Sequence, residues 1–552
     1  MFTRITRSGG RAYLQLVEAY RNDAGAPRQR VVANLGRLDQ LTDTDLDPLI
    51  GGLQRALGRT PDTAAATPVF ESAKAFGDLF ALQALWEELG LSTALQRALR
   101  SSRRRFDVEA LVRAMVFNRL CEPASKLGVL RWLDTVAMPA LPARITHDQL
   151  LRAMDALMDR VAEVEAAVAK QMRPLLDDTL SVMFYDLTTI RIHGAGQVKD
   201  DLRAYGLNKR TGGIARQFVL GVVQTAEGLP IAHQVHAGNV GEVSTLLPMI
   251  ERTVQRYPVK RVVLIADRGL LSLDNLAAVE TLKTAQGAPL EYILAVPGRR
   301  YGEFAATVAA TRIKDGVGET TWQSRRLIVA HDQERAEAQG AARRKTIEAI
   351  EAEGNRMAER LDDEDAGRPQ RGRKSDDRRA YLRFAQLVKD ANLSRILKAD
   401  LTAECFSFEC DEDALRDAER LDGKLLLVTN THFNPAEVVA RYKTLADIER
   451  GFRVLKSDLD IAPVHHRLPE RIRAHALICF LALVLYRVLR QRLRANDSSL
   501  SPCRALTLLR QIQQHQVVID RTTYRGTSRL VPEQRDLFKA LKLPEPPAKT
   551  PA

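Results

Sequence analysis

The sequence predicts an α/β layer architecture, and three observations carry that expectation. Short apolar runs of strand character, LSVMFYD (180–186) and VVLIAD (262–267), alternate with helical segments. The runs RQFVLGVVQ and LPIAHQVH, separated by the turn TAEG, read as paired strands. A third apolar run, GKLLLVTN (423–430), resumes the core texture after a long polar stretch.

In chain order, residues 12–20 and 28–36 flank the turn NDAGAP and read as an N-terminal β-hairpin. Apolar residues at spacings of three and four then mark helices in FGDLFALQALWEELGL (76–91) and VEALVRAMVFNRL (108–120). Between them RSSRRR, with Arg103 and Arg104, either faces phosphates or forms a solvated loop. Thr146 and Gln149 fit a capping box that opens the next helix. GEVSTLLPMIERTVQRY and DNLAAVETLK are helical, and EYILAVP is a strand. Residues 301–421 break this rhythm with a charged, helix-favouring stretch and the exposed segment DDEDAGRPQRGRKSDDRR. The expected modules are a β-rich one at 1–60, a helical one at 61–175, a core at 176–300 and 422–495 split by an insertion at 301–421, and a C-terminal tail at 496–552.

Composition narrows the function. The 552 residues carry 82 Lys+Arg against 69 Asp+Glu, a net charge of +13 that favours a polyanionic partner such as nucleic acid. Hydrophobic residues at 45% exclude global disorder. Five cysteines make no disulfide framework, and Cys405 and Cys410 lack zinc-ligand spacing. The apolar run 476–486 is shorter than the ~20 residues a membrane helix needs, and reads as a buried core helix. The opening residues hold no apolar leader, so a reduced, cytoplasmic, soluble protein is expected.

Acids at the ends of strands are the informative feature. Asp186 and Asp267 each close an apolar run, the position where open α/β sheets present ligand-binding groups, although helix caps and turns use aspartate in the same way. A helix is expected over NPAEVVARYKTLADIERGFRVLKSDL, with Asn434 as N-cap, Pro435 at N1 and Glu437 at N3. On it Tyr442, Glu449 and Lys456 recur every seven residues, so each lies about 20° from the last and about 10.5 Å along the axis. A surface helix with Glu449 and Arg453 as an i,i+4 pair explains the same pattern.

The segments YDLTTIRIHG, GLPIAHQVHAGN, IADRGLLSLDN and YKTLADIERGFRVLK resemble the DDE transposases of bacterial insertion elements, in the insertion-sequence-four group and its branch of long proteins. The third motif of that group, Y-x2-R-x3-E-x6-K, is matched by Tyr442, Glu449 and Lys456, whereas Leu445 stands at the arginine position. Lys443, Arg450 and Arg453 are candidates to replace that arginine. NRLCEPASK (118–126) and PVHHRLPERIRAHALICFLALVLYRVL (463–489) are also similar to segments of such proteins.

The resemblance implies an RNase H-like catalytic core, a mixed sheet flanked by helices, in which Asp186, Asp267 and Glu449 hold two Mg²⁺ ions, with Mn²⁺ as a substitute. Carboxylate oxygens are the hard ligands Mg²⁺ prefers, and a metal pair suits phosphodiester cleavage. The implied activity cleaves the ends of an insertion element and joins the freed 3′-hydroxyl to target DNA. The implied partners are double-stranded DNA and a second copy of the chain, with no membrane. Tyr442, Lys456 and Arg453 are expected at the phosphates near the scissile bond, and Arg103, Arg104, Lys209 and Arg210 on basic DNA-facing surfaces, with the segment 368–374 as a further one. Trp322 either stacks an extruded base or packs a small β subdomain; His465 and His466 are read as structural or phosphate-contacting. The competing readings are a catalytically silent DNA-binding derivative and an RNase H-like nuclease with another substrate.

Overall fold

The structure is a computed structural model and describes the chain apart from residues 42, 59–67, 101–103, 143, 176–180, 194–200, 208–212, 258–260, 267–272, 369–375, 445–452, 463, 520–521 and 549–552. The chain opens with β1 (Phe2–Ser8), β2 (Arg11–Arg21), β3 (Pro27–Arg37), α1 (Asp43–Ala56) and β4 (Val69–Ala75). Six helices follow: α2 (Gly77–Glu88), α3 (Leu91–Leu99), α4 (Val108–Cys121), α5 (Lys126–Thr135), α6 (His147–Asp159) and α7 (Val161–Met172). Next come β5 (Ser181–Arg191), β6 (Ala204–Leu207), β7 (Ile214–Thr225), β8 (Pro230–Ala237), α8 (Glu242–Arg256), β9 (Val262–Ala266), α9 (Leu273–Thr281) and β10 (Glu291–Ala295). The middle of the chain holds α10 (Ala305–Ala310), β11 (Val317–Trp322), β12 (Arg325–His331), α11 (Gln333–Asp365), α12 (Asp377–Asp390), β13 (Leu397–Asp400), β14 (Ser407–Cys410) and α13 (Glu412–Arg420). The last elements are β15 (Lys424–Thr429), α14 (Pro435–Lys443), α15 (Pro469–Ala495), α16 (Pro502–Arg510), β16 (Gln513–Ile519), β17 (Thr522–Thr527) and α17 (Pro532–Leu541).

The chain divides into two compact units. One comprises Met1–Ala73, Gln514–Ser528 and Pro547–Ala552. In it the expected hairpin is present as β2 and β3, paired antiparallel, and β1 adds a third strand. A second sheet, in the order β17-β16-β4, joins strands from opposite ends of the sequence, with the Gln516 amide donating to Glu71 at 2.5 Å.

The other unit, Lys74–Gln513 with Arg529–Pro546, contains a nine-stranded mixed sheet in the order β11-β12-β15-β10-β9-β5-β7-β6, with β8 also paired to β7. Strand β5 runs parallel to β9, and β9 to β10, while β7 is antiparallel to β5 and β8 to β7. Taken as β8-β7-β5-β9-β10, the first three strands of the core form an antiparallel meander and the next two extend it in parallel, which is the RNase H arrangement. All five residues of β9 are buried, as a parallel strand covered on both faces requires. Val182, Phe184, Val263 and Ile265 pack on one face with Val438, Val439 and Tyr442 of α14. Met183, Tyr185, Leu264 and Ala266 pack on the other with α8 and α9.

Helices α2 to α7 and α15 to α17 bury a third, larger cluster. The apolar run 476–486 lies in α15 and is buried throughout, as a core helix. By length and hydropathy α15 would pass for a membrane span, but 94% of its most apolar window is inside the protein. The capping box at Thr146 and Gln149 is formed in both directions.

The segment between 301 and 421 does not stand wholly apart from the sheet. Strands β11 and β12 extend it through β15, so only α11 to α13 with β13 and β14 have a core of their own. In that core Gly354 leaves room for the rings of Phe384 and Phe408; a Cβ would meet each at 2.6 Å.

Candidate active site

Asp186 lies in the middle of β5, not at its end, because the strand continues for five residues along β7. Among the described residues the pairing of β5 with β9 runs as far as Tyr185, opposite Ala266, and Asp186 is the next residue of β5. Strand alternation puts Asp186 on the face of Phe184, the face α14 covers. On that face Val182 and Phe184 belong to one apolar cluster, and Ile190 with Val222, the cross-strand partner of Asp186, to another. A half-buried carboxylate therefore sits at the seam between two apolar clusters, with its Oδ1 accepting the Leu187 N–H at 2.7 Å.

Asp267 follows Ala266 in the sequence, and it and Glu449 lie outside the described residues, as do Leu445 and Arg450. Among the described residues no group of three or more His, Cys, Asp or Glu side chains is placed to hold a metal ion. Asp186 is thus the one member of the proposed carboxylate set whose surroundings are described.

The helix leading toward Glu449 starts as its sequence dictates. Asn434 Oδ1 accepts the Glu437 N–H at 2.8 Å and Pro435 occupies the first turn. Glu437 does not close a capping box; its carboxylate instead takes the Arg441 Nε at 3.0 Å, and the Arg441 guanidinium lies 4.2 Å from the Phe433 ring centroid. Described helix α14 ends at Lys443, and a further helical turn covers 453–457, so the straight line expected through Tyr442, Glu449 and Lys456 runs partly outside the described residues.

Tyr442 is 9% exposed, and its ring belongs to the apolar cluster between α14 and the sheet. Lys456 and Arg453 are exposed. Arg104 is paired with Asp159 at 3.0 Å, and Arg368 with Asp363 at 2.6 Å. Arg103, Lys209 and Arg210 lie outside the described residues. Trp322 ends β11 and packs on Phe304 with ring centroids 4.8 Å apart, beneath the sheet. Its neighbours Arg325 and Arg326 are engaged by Glu280 and Glu319. His465 is exposed and stacks near His193 at 5.5 Å, while burial, followed by the charges of Lys126 and Arg471, lowers the pKa of His466 to about 3.

Comparison with known proteins assigns the chain to a family. Residues 177–485 match the family model described as Transposase DDE domain, and the chain belongs to that family. Residues 2–66 match the IS1634 family transposase, N-terminal domain, so the protein is a DNA transposase of the bacterial insertion-sequence kind, in the IS1634 group. No curated protein matches the chain. Among solved structures, a piggyBac transposase synaptic complex with hairpin DNA aligns at 8% identity and a TM-score of 0.40, over 78% of this chain and 79% of that one.

Proposed function

We propose that the chain cleaves the ends of its insertion element and joins the freed 3′-hydroxyls to target DNA, with Asp186, Asp267 and Glu449 as the carboxylates of the reaction. The observation that carries this reading is the place of Asp186, on the α14 face of the sheet and next in β5 after Tyr185, which pairs with Ala266 of β9. In the sequence Asp267 follows the last residue of β9, and Glu449 follows α14. Three carboxylates form a hard oxygen donor set that fits Mg²⁺ or Mn²⁺. Two such ions, when bound, would activate the attacking hydroxyl or water and stabilise charge on the leaving oxygen.

In this reading the chain's own residues orient the substrate. The Leu187 N–H donates to Asp186 Oδ1 and helps to orient the side chain on the α14 face. Lys456 and Arg453 contribute positive charge near the cut phosphate. Tyr442 sets the position of α14 through its buried ring. The protein acts in the cytoplasm on double-stranded DNA, as a dimer that holds two element ends.

The test is end cleavage by the purified chain on a duplex carrying its own terminal repeats, with Mg²⁺. Asp186→Asn should bind that duplex with wild-type affinity and cut it at background rate. An Asp186→Asn protein that still cuts would remove Asp186 from the mechanism. Binding without cutting by the wild-type chain would instead mark it as a silent derivative.

A further inference from the structure

A cavity of about 700 Å³ opens among α4, α5, α6 and the start of α15. Two segments that the proposed chemistry leaves unused meet there, NRLCEPASK and the stretch beginning PVHH. Three helices begin at its wall, α5 at Lys126, α6 at His147 and α15 just after Leu468. The N-terminal end of a helix carries partial positive charge, and although Ser125 and Thr146 each take one first-turn N–H of α5 and α6, the three helix dipoles still favour an anion at this wall.

The side chains add to that charge. Lys126 is 6% exposed, and among the described residues its ammonium makes no hydrogen bond or ion pair. Arg119 is 5% exposed; one guanidinium nitrogen donates to the Asp460 carbonyl at 3.1 Å, while its buried Nε has no partner. Arg467 and His465 stand at the rim, exposed. Asp460, the acid among the described lining residues, is exposed to solvent. A buried ammonium and a buried guanidinium nitrogen without partners are costly, and a bound anion would remove that cost. The pKa values carry the same message, since burial and the neighbouring Arg119 charge bring Lys126 down to about 7.

Leu127, Leu151, Ala462 and Leu468 make the remaining walls apolar. The volume is in the range of small-molecule sites and well above that of a bare phosphate ion. A phosphate attached to a sugar and base fits both halves of the lining. We propose that this cavity binds the phosphate of a nucleotide, seated between Lys126 and Arg119 at the three helix N-termini.

That phosphate could belong to a free nucleotide or to a DNA strand. The second source rests on the proposed DNA-cleaving function and has a geometric basis. Strand β5 connects the two places, since Ile192 at its end bridges to Val464 on the cavity wall. Six residues of strand separate Asp186 from Ile192, roughly 20 Å, or about six nucleotides of a duplex strand.

Thermal unfolding of the full chain, with inorganic phosphate as probe against chloride at equal ionic strength, tests the site at pH 6. The wild type should show a saturable rise in midpoint with phosphate. Lys126→Met should shift the midpoint for half-saturation at least tenfold higher in phosphate, and the rim variant Arg467→Ala several-fold. Arg467 is exposed, so its replacement leaves folding intact. No saturable response in the wild type, or unchanged responses in both variants, would overturn the proposal. Adding a saturating DNA duplex separates the sources: DNA that fills the cavity abolishes the phosphate response, and a free nucleotide site keeps it. No cleavage is measured, so failure here would leave the carboxylate assignment standing.

Discussion

Lys126 sits in an environment that its sequence position does not suggest. It opens α5 in a polar stretch, yet it is enclosed by α4, which brings Arg119, and by α15, which brings Cys479 and His475, with His466 on the approach to α15. Its folded pKa is about 7 and its ordinary value 10.5. For a base whose folded pKa is depressed, the penalty on the folded state is complete below the folded pKa. It fades as pH rises toward the unfolded pKa. The wild type should therefore gain stability relative to Lys126→Met between pH 7 and 10.5, by at most about 1.4 kcal/mol per pH unit. Paired denaturant titrations across that range, without phosphate, read the difference, and a gap independent of pH would show that Lys126 is not held in this environment. Other residues were legible from sequence alone. Asn434 caps α14 as its side chain and the following proline require. For Tyr442 the sequence leaves both a phosphate contact and a core position open, because periodicity reports a face of a helix and not what covers it; the sheet covers this one.

At the scale of elements, strands were harder to bound than helices. An acid discourages strand, so the apolar run before Asp186 reads as a complete strand, but the strand continues because β7 pairs with it as far as Arg191. The β11–β12 hairpin was hidden for a different reason. Its two turn residues, Gln323 and Ser324, both have positive φ, at 47° and 62°, which is the pattern of a type I′ turn made without glycine or asparagine. Sequence reasoning looks for Asn-Gly at such turns and finds none here. Each of these left-handed residues costs on the order of 1 kcal/mol. The double variant Gln323→Asn, Ser324→Gly should accordingly be more stable by about 1 kcal/mol, read as a higher midpoint in thermal unfolding. A midpoint that falls would mean that the Gln323 and Ser324 side chains hold the turn in another way.

For the whole molecule, the pairing of β4 with β16 joins residues more than four hundred positions apart, and no local pattern announces such a contact. The net charge was visible at once, but its use depends on which cations are already engaged. Arg325 is held by Glu280 through two bonds, at 2.8 and 2.9 Å, in a partly buried setting. Arg104 has a more exposed partner in Asp159, an ion pair of the kind worth little in water, from which a phosphate can take it. Lys456 is exposed. These differences predict distinct salt dependences for DNA binding. Each phosphate contact contributes about 0.9 to the slope of log K against log salt. Lys456→Ala and Arg104→Ala should each flatten that slope by about 0.9. Arg325→Ala should leave it unchanged while lowering thermal stability, because its charge is committed to Glu280 within the fold. Equal slopes for all four proteins would place the DNA on some other surface, and a flatter slope for Arg325→Ala alone would reverse the assignment of which arginines serve the fold and which serve the DNA.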